Sequence, residues 1–273
     1  MTSALPPPLA ALGLRAFPFP KAPEQDALFH WSALDEVLAR MGFALAASGF
    51  ALLTGDVGCG KSSALRAFLH GLDPNLHPAV YVADSRLTPL HLYGRVLTHF
   101  GVMPPASAGR AREQFQALLR DLAAAQGKRP LLLIDEGQAL SPDMVQELRY
   151  LQNVQDCDAA SPFTLVLCGQ PELRAILRFK SFEAVAQRLT VRCHLAPLEP
   201  RETAAFVVHS LRQAGIDRPL FTEAALELLH AQSRGLCRRI GNLATHALLD
   251  AALQKTPLVE ESSVRRAAAE LDE

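Results

Sequence analysis

Neither sign of charge dominates this chain: 27 Lys and Arg stand against 28 Asp and Glu, a formal net charge of −1 over 273 residues. That excludes a global electrostatic pull toward nucleic acid or an anionic membrane, so any such contact has to come from a local patch. Lysine is scarce: Lys21, Lys61, Lys128, Lys180 and Lys255 leave arginine to supply the other 22 of the 27 cations. Together with abundant alanine, this reads as genomic bias before it reads as function. Paired cysteines are missing too. Cys59, Cys157, Cys168, Cys193 and Cys237 are scattered and odd in number, with no C-x-x-C pair. That pattern argues against a disulfide framework or a zinc site and suits a reducing cytoplasm. The most apolar stretch, residues 43–54, is too short to span a bilayer. Met1 to Pro8 lacks the basic start and apolar segment of a secretory leader, so the expected localisation is cytoplasmic, with no membrane partner.

What is present is more specific. A hydrophobic fraction of 49% and this length allow a sizeable core in one large or two smaller domains. Gly55-Asp56-Val57-Gly58-Cys59-Gly60-Lys61-Ser62 is a complete G-x-x-x-x-G-K-S loop. It follows the apolar run 50–54 and leads through Ser63 into a helical pattern, the strand–loop–helix context such a motif requires. Glycines let successive backbone N–H groups curl around phosphate oxygens, and the helix N-terminus adds partial positive charge. Lys61 is placed to reach the β- and γ-phosphates of ATP, and the Ser62 hydroxyl to complete a Mg²⁺ shell. Cys59 inside the loop reads as a small filler, with an oxidation-sensitive thiol as the alternative.

Along the chain, residues 1–25 are Pro-rich and read as an extended arm lying against the body, with Phe17 and Phe19 alternating with prolines. A helix is expected over 31–41. Strands are expected at 50–54, 79–83, 131–134, 163–168 and 189–195, separated by helices at about 89–100, 112–126, 142–152 and 173–188. Continuous apolar strands alternating with helices indicate an α/β domain with a parallel sheet covered on both faces. From about residue 199 the pattern is all helical, over 201–214, 222–232, 236–252 and 261–271. Thr222 and Ser262 are the expected N-caps, and Gly215 and Gly235 the expected stops. The expected division is therefore an arm (1–25), an α/β nucleotide-binding domain (26–198) and a small helical lid (199–273).

Leu131-Leu132-Leu133-Ile134-Asp135-Glu136 is an apolar strand ending in two acids. A buried parallel strand delivers its last residues to the carboxyl edge of the sheet, where ligands bind. Asp135 there can hold Mg²⁺ through water, and Glu136 can orient or deprotonate the attacking water. Two acids near a triphosphate are costly without a metal, so Mg²⁺ is implied, and hydrolysis of the β–γ bond with it.

With these residues in place the chain resembles the AAA+ superfamily, and more narrowly its ExeA-like and TnsC-like group. The likeness runs through Phe17-Pro18-Phe19, the 53–62 loop, Ile134-Asp135-Glu136-Gly137-Gln138-Ala139-Leu140, Gly169-Gln170-Pro171-Glu172-Leu173, Gln187-Arg188-Leu189 and Gly235-Leu236-Cys237-Arg238-Arg239-Ile240. It implies a P-loop AAA+ core followed by a helical lid. It places Gln170 at the sensor-one position, although that side chain could instead cap the helix after Pro171. Arg188 matches the arginine finger that reaches a neighbouring subunit's nucleotide, with Arg192 the alternative. Arg238 matches the lid's sensor-two arginine, with Arg239 the alternative, and Cys237 stands where the group usually has Pro. Phe17 and Phe19 are either adenine neighbours or plain anchors.

A finger acting between subunits implies self-assembly into a hexameric ring or a helical filament. ExeA-like secretion proteins carry a membrane segment and a wall-binding region after the ATPase. The stop at Glu273 favours the transposition branch, whose members assemble with ATP on double-stranded DNA, select the target and recruit or stimulate a transposase. A target-selector protein is a further expected partner. The candidate DNA contacts are Arg86 with Thr88, and Arg110 with Arg112. The alternatives are a soluble secretion or assembly ATPase that never touches DNA, and a scaffold that binds ATP but turns it over slowly unless a partner stimulates it. The 222–252 helices also resemble a helix-turn-helix, a pattern helical lids often show.

Overall fold

The computed structural model describes residues 5–84, 86–151 and 161–272. Cys157 and the expected helix end at Gln152 lie outside them. The chain forms two compact units: residues 36–55 with 64–195, and residues 1–35 with 56–63 and 196–273. This grouping differs from the three-segment division expected above, because the first 35 residues and the Gly-rich loop cluster with the C-terminal helices.

The first unit is built on five parallel strands: β1 (Phe50–Thr54), β2 (Ala79–Ala83), β3 (Leu131–Asp135), β4 (Thr164–Gly169) and β5 (Leu189–His194). Their spatial order is β2-β3-β4-β1-β5. Every residue of β1, β3 and β4 is buried, whereas β5 alternates buried with exposed and β2 keeps only Val80 and Val82 fully inside. Central strands are covered on both faces, so their sequences run apolar without a break; the edge strands need not. The register pairs Thr54 with Gly169 and Ala83 with Asp135, so the ends of the strands emerge at one edge. Between the strands run α4 (Pro89–His99), α5 (Ala108–Ala124) and α6 (Pro142–Leu151), after α2 (Ser32–Ala46) and α3 (Lys61–His70). Thr88 and Ser107 cap α4 and α5 by accepting the His91 and Arg110 backbone N–H groups at 3.3 Å each, satisfying donors that have no partner within the helix.

The single helix expected over 173–188 is broken. It becomes α7 (Glu172–Ile176), a 3₁₀ turn (Lys180–Phe182) and α8 (Glu183–Ala186). No Pro or Gly marks the break. Buried Leu173 and Leu177 are four apart and Phe182 and Val185 three apart, but Leu177 and Phe182 are five apart. That step is out of phase with a 3.6-residue period. Phe179 takes an extended conformation (φ −63, ψ 141) and is left exposed between buried Leu177 and Phe182.

In the second unit the arm is not wholly extended. Pro7–Ala11 form a short helix, α1, started by Pro at its first position. The arm does lie against its unit: Leu9 and Leu14 are buried, Arg15 N–H donates to Ala214 O at 2.8 Å, and Phe19 packs on Phe206 at 5.9 Å between ring centroids. Phe17 is 40% exposed, so the two phenylalanines differ in role. The helices here are α9 (Pro200–Gln213), α10 (Glu223–Ser233), α11 (Cys237–Leu253) and α12 (Glu261–Asp272). Thr222 caps α10 as expected and Gly215 (φ 92) follows the end of α9, but the left-handed cap of α10 is Arg234 (φ 54, ψ 31), with Gly235 (φ 72) one residue beyond it. Ser262 is not an N-cap, because α12 already starts at Glu261.

Candidate functional site

The loop after β1 is shaped by its backbone. Gly55 N–H donates to Gly169 O at 3.3 Å, tying the start of the loop to the end of β4. Beyond it, Asp56 O accepts from Cys59 N–H at 3.3 Å and from Lys61 Nζ at 2.9 Å. Gly58 (φ 83) and Gly60 (φ 104) hold conformations that strain any side chain. At Gly58 a Cβ would also lie 3.0 Å from Arg238 Cβ. The first turn of α11 is docked on this loop: Arg238 N–H donates to Gly58 O at 3.0 Å, and Cys237 Sγ donates to Cys59 O at 3.5 Å. The Gly58 carbonyl thereby satisfies one of the unpaired donors at the start of α11. Burial pushes the Cys59 thiol up, and burial with the neighbouring Cys59 pushes Cys237 up to about 12. Both therefore stay protonated, which favours the packing role for Cys59. Lys61 is buried to 9% exposure with its ammonium folded into the loop. Glycines at positive φ and a buried lysine together fit a chain of phosphates.

The acid turn at the end of β3 is organised by side chains. Asp135 is buried, its Oδ2 accepting from Tyr81 Oη at 2.6 Å and its Oδ1 from Glu136 N–H at 2.8 Å. Glu136 is left-handed (φ 56, ψ 34), a conformation costing a non-glycine residue about 1–2 kcal/mol. The turn lifts the Glu136 carboxylate into solvent while Asp135 stays inside. Gln138 then reaches both neighbours: its Nε2 donates to Glu136 Oε2 at 2.6 Å, and its Oε1 accepts from Gln170 N–H at 3.0 Å. Two glycines make the fit possible. A Cβ on Gly137 would lie 2.8 Å from Leu167 Cδ1, and one on Gly169 would lie 2.7 Å from Gln138 Oε1. The carboxylate of Asp135 and the hydroxyl of Ser62 are hard oxygen donors of the kind Mg²⁺ takes.

Other expected positions resolve differently. Arg188 is exposed beside the start of β5, while Arg192 donates to Ala186 O at 2.7 Å. Arg112 donates to both oxygens of buried Glu147, at 2.8 and 2.7 Å, and lies 5.0 Å above the Tyr150 ring. Tyr93 also donates to Glu147. That clamp gives the Arg112 guanidinium a structural task between α5 and α6. Arg86 and Arg110 are exposed, and Thr88 is occupied as a cap. Tyr81 was missed in the sequence because its reach to Asp135 requires knowing that β2 lies beside β3; Tyr81 pairs with Leu133 and crosses diagonally. Gln138 stood in the motif without a role, and its spacing two residues after Glu136 was the available signal.

Residues 46–177 match the family model described as AAA domain. Over that span the chain is similar to AAA-type ATPase domains. The chain is similar to General secretion pathway protein A of Aeromonas hydrophila, at 34% identity over 262 residues, covering 95% of this chain and 47% of that protein. It thus spans about half the length of that relative. The AAA fold is shared with Cdc6p of Pyrobaculum aerophilum (TM-score 0.72, 15% identity, 93% of this chain and 70% of that one). It is shared also with a chain of Drosophila ORC bound to DNA (TM-score 0.69, 17% identity, 100% of this chain and 70% of that one). At such identities the likeness concerns the α/β P-loop architecture alone. Among the described residues no helix is long and apolar enough to cross a membrane.

Proposed function

We propose that this chain is a Mg²⁺-dependent ATP hydrolase whose bound nucleotide controls assembly of its subunits. The observation that carries the reading is the Glu136 carboxylate, held out on a left-handed turn after a buried strand, in a chain with a complete phosphate loop. The loop N–H groups from Gly58 to Ser63 and the Lys61 ammonium bind the β- and γ-phosphates. Ser62 and Asp135 offer a hydroxyl and a carboxylate to the metal. Bound Mg²⁺ supplies neutralisation of the phosphate charge. Glu136 orients the attacking water and accepts its proton, and the Gln170 side chain contributes a polar group beside that water. Arg238 completes the phosphate contacts from the lid. Arg188 offers its guanidinium to a neighbouring subunit's nucleotide, with Arg192 as the alternative. A ring or filament follows from that arrangement.

The 34% identity to a General secretion pathway protein A over 95% of the chain supports an ExeA-like ATPase of a secretion or assembly machine as the broader task. A second reading is a transposition regulator that assembles with ATP on duplex DNA, selects a target and recruits a transposase. The fold shared with the DNA-bound Drosophila ORC chain favours it, with Arg86 and Arg110 as surface contacts. Anisotropy of a labelled duplex at moderate salt, with and without ATP, alongside sizing of the protein, separates the two. ATP-dependent DNA binding supports the transposition reading. ATP-dependent oligomers that ignore DNA support the protein-machine reading. No ATP turnover above the Glu136→Gln background contradicts the hydrolase itself.

A further inference from the structure

We infer that Gln138 is a positioning residue that ties the general base Glu136 to the end of β4, so that base and sensor strand move as one unit. The inference rests on the hydrolase reading for the role of Glu136; the tie itself is a feature of the fold. One amide makes both bonds, donating through Nε2 to Glu136 Oε2 at 2.6 Å and accepting through Oε1 from Gln170 N–H at 3.0 Å. Each bond polarises the amide in the sense that strengthens the other. The surrounding backbone is shaped to admit it. Gly169 leaves open the space where a Cβ would stand 2.7 Å from Gln138 Oε1, and Gly137 lets the turn approach Leu167 and the Cys168 carbonyl.

The chemistry of position 138 is restrictive. The residue must donate at one end and accept at the other, which among side chains of this length only glutamine does. Glutamate in its place presents acceptors to the Glu136 carboxylate, and methionine fills the same volume with neither function. Asparagine is one methylene short. Glu136 is exposed and its carboxylate has rotational freedom unless something holds it, whereas Gln170 begins where the buried strand β4 ends. Gln138 transfers the rigidity of that strand to the carboxylate. A general base gains its rate advantage only while held within hydrogen-bond reach of its proton. Gln138 touches no reacting atom and acts entirely through Glu136.

The test uses the full chain and three readouts: ATP turnover, nucleotide affinity and exchange of the Gln170 amide proton. Gln138→Met is expected to lower kcat about tenfold or more while leaving KM and ATP affinity within about twofold. Gln138→Glu is expected to lose more. In a Glu136→Gln background, Gln138→Met adds no further loss, because its effect passes through the absent carboxylate. Without nucleotide, the Gln170 amide exchanges at least tenfold faster in Gln138→Met than in the parent. A variant that loses affinity instead of kcat, or one that loses activity additively with Glu136→Gln, overturns the positioning role. Unchanged exchange at Gln170 overturns the tie. Should parent and Glu136→Gln turn over ATP equally, the hydrolase reading fails and the positioning role with it, while the exchange measurement still decides whether the tie exists.

Discussion

The phosphate loop and the acid turn solve different problems with different materials. The loop is a backbone object: Gly58 and Gly60 set its path, its carbonyls accept from Lys61 and Arg238, and burial pushes its Cys59 thiol up. The acid turn is a side-chain object, in which Tyr81 fixes Asp135 and Gln138 fixes Glu136. Holding a triphosphate needs donors at fixed spacing, which a glycine-rich backbone supplies. Timing its hydrolysis needs one carboxylate in one orientation, which only packed side chains supply. Changes in the loop should therefore alter nucleotide affinity, and changes in the turn should alter turnover.

The largest expected effect is Lys61→Ala, which removes the loop's cation; isothermal titration should show no ATP binding, and sizing no ATP-dependent oligomer. Oligomers that persist without nucleotide binding break the link between loop and assembly. Gly58→Ala comes next. Its positive φ and the 3.0 Å approach to Arg238 should cost about 1–3 kcal/mol, read as a ~10–100-fold weaker ATP affinity or a lower melting temperature. Were it instead to slow turnover at unchanged affinity, the division between the two regions would be wrong. Tyr81→Phe deletes a bond to a carboxylate and should lower kcat several-fold, by about 1 kcal/mol, with ATP affinity without metal unchanged. The smallest effect is chemical: with its thiol pushed up to about 12, Cys237 should resist alkylation at pH 8 in the native protein and react only on unfolding.

The same contrast explains what the sequence could disclose. The glycine pattern of the loop writes its backbone path directly into the residues, and the apolar runs 50–54, 79–83 and 131–134 mark strands that form where expected. Acids after β3 were legible because a strand ending in charge is itself a signal. Tyr81 was not, since its contact depends on strand order, which local periodicity does not encode. The break between α7 and α8 escaped notice because no glycine or proline marks it. Arg112 looked like a surface cation, and only the packing of α5 with α6 brought Glu147 beneath it. The end of the chain at Glu273 no longer bears on its task, since it spans 47% of the secretion protein it resembles over nearly its whole length.

The most direct test of the central claim compares ATP binding and ATP hydrolysis in the parent protein and Glu136→Gln. The account predicts equal nucleotide affinity and a turnover lower by about 10²–10⁴-fold, the range general-base catalysis supplies. Turnover that survives the substitution at the parental rate contradicts it.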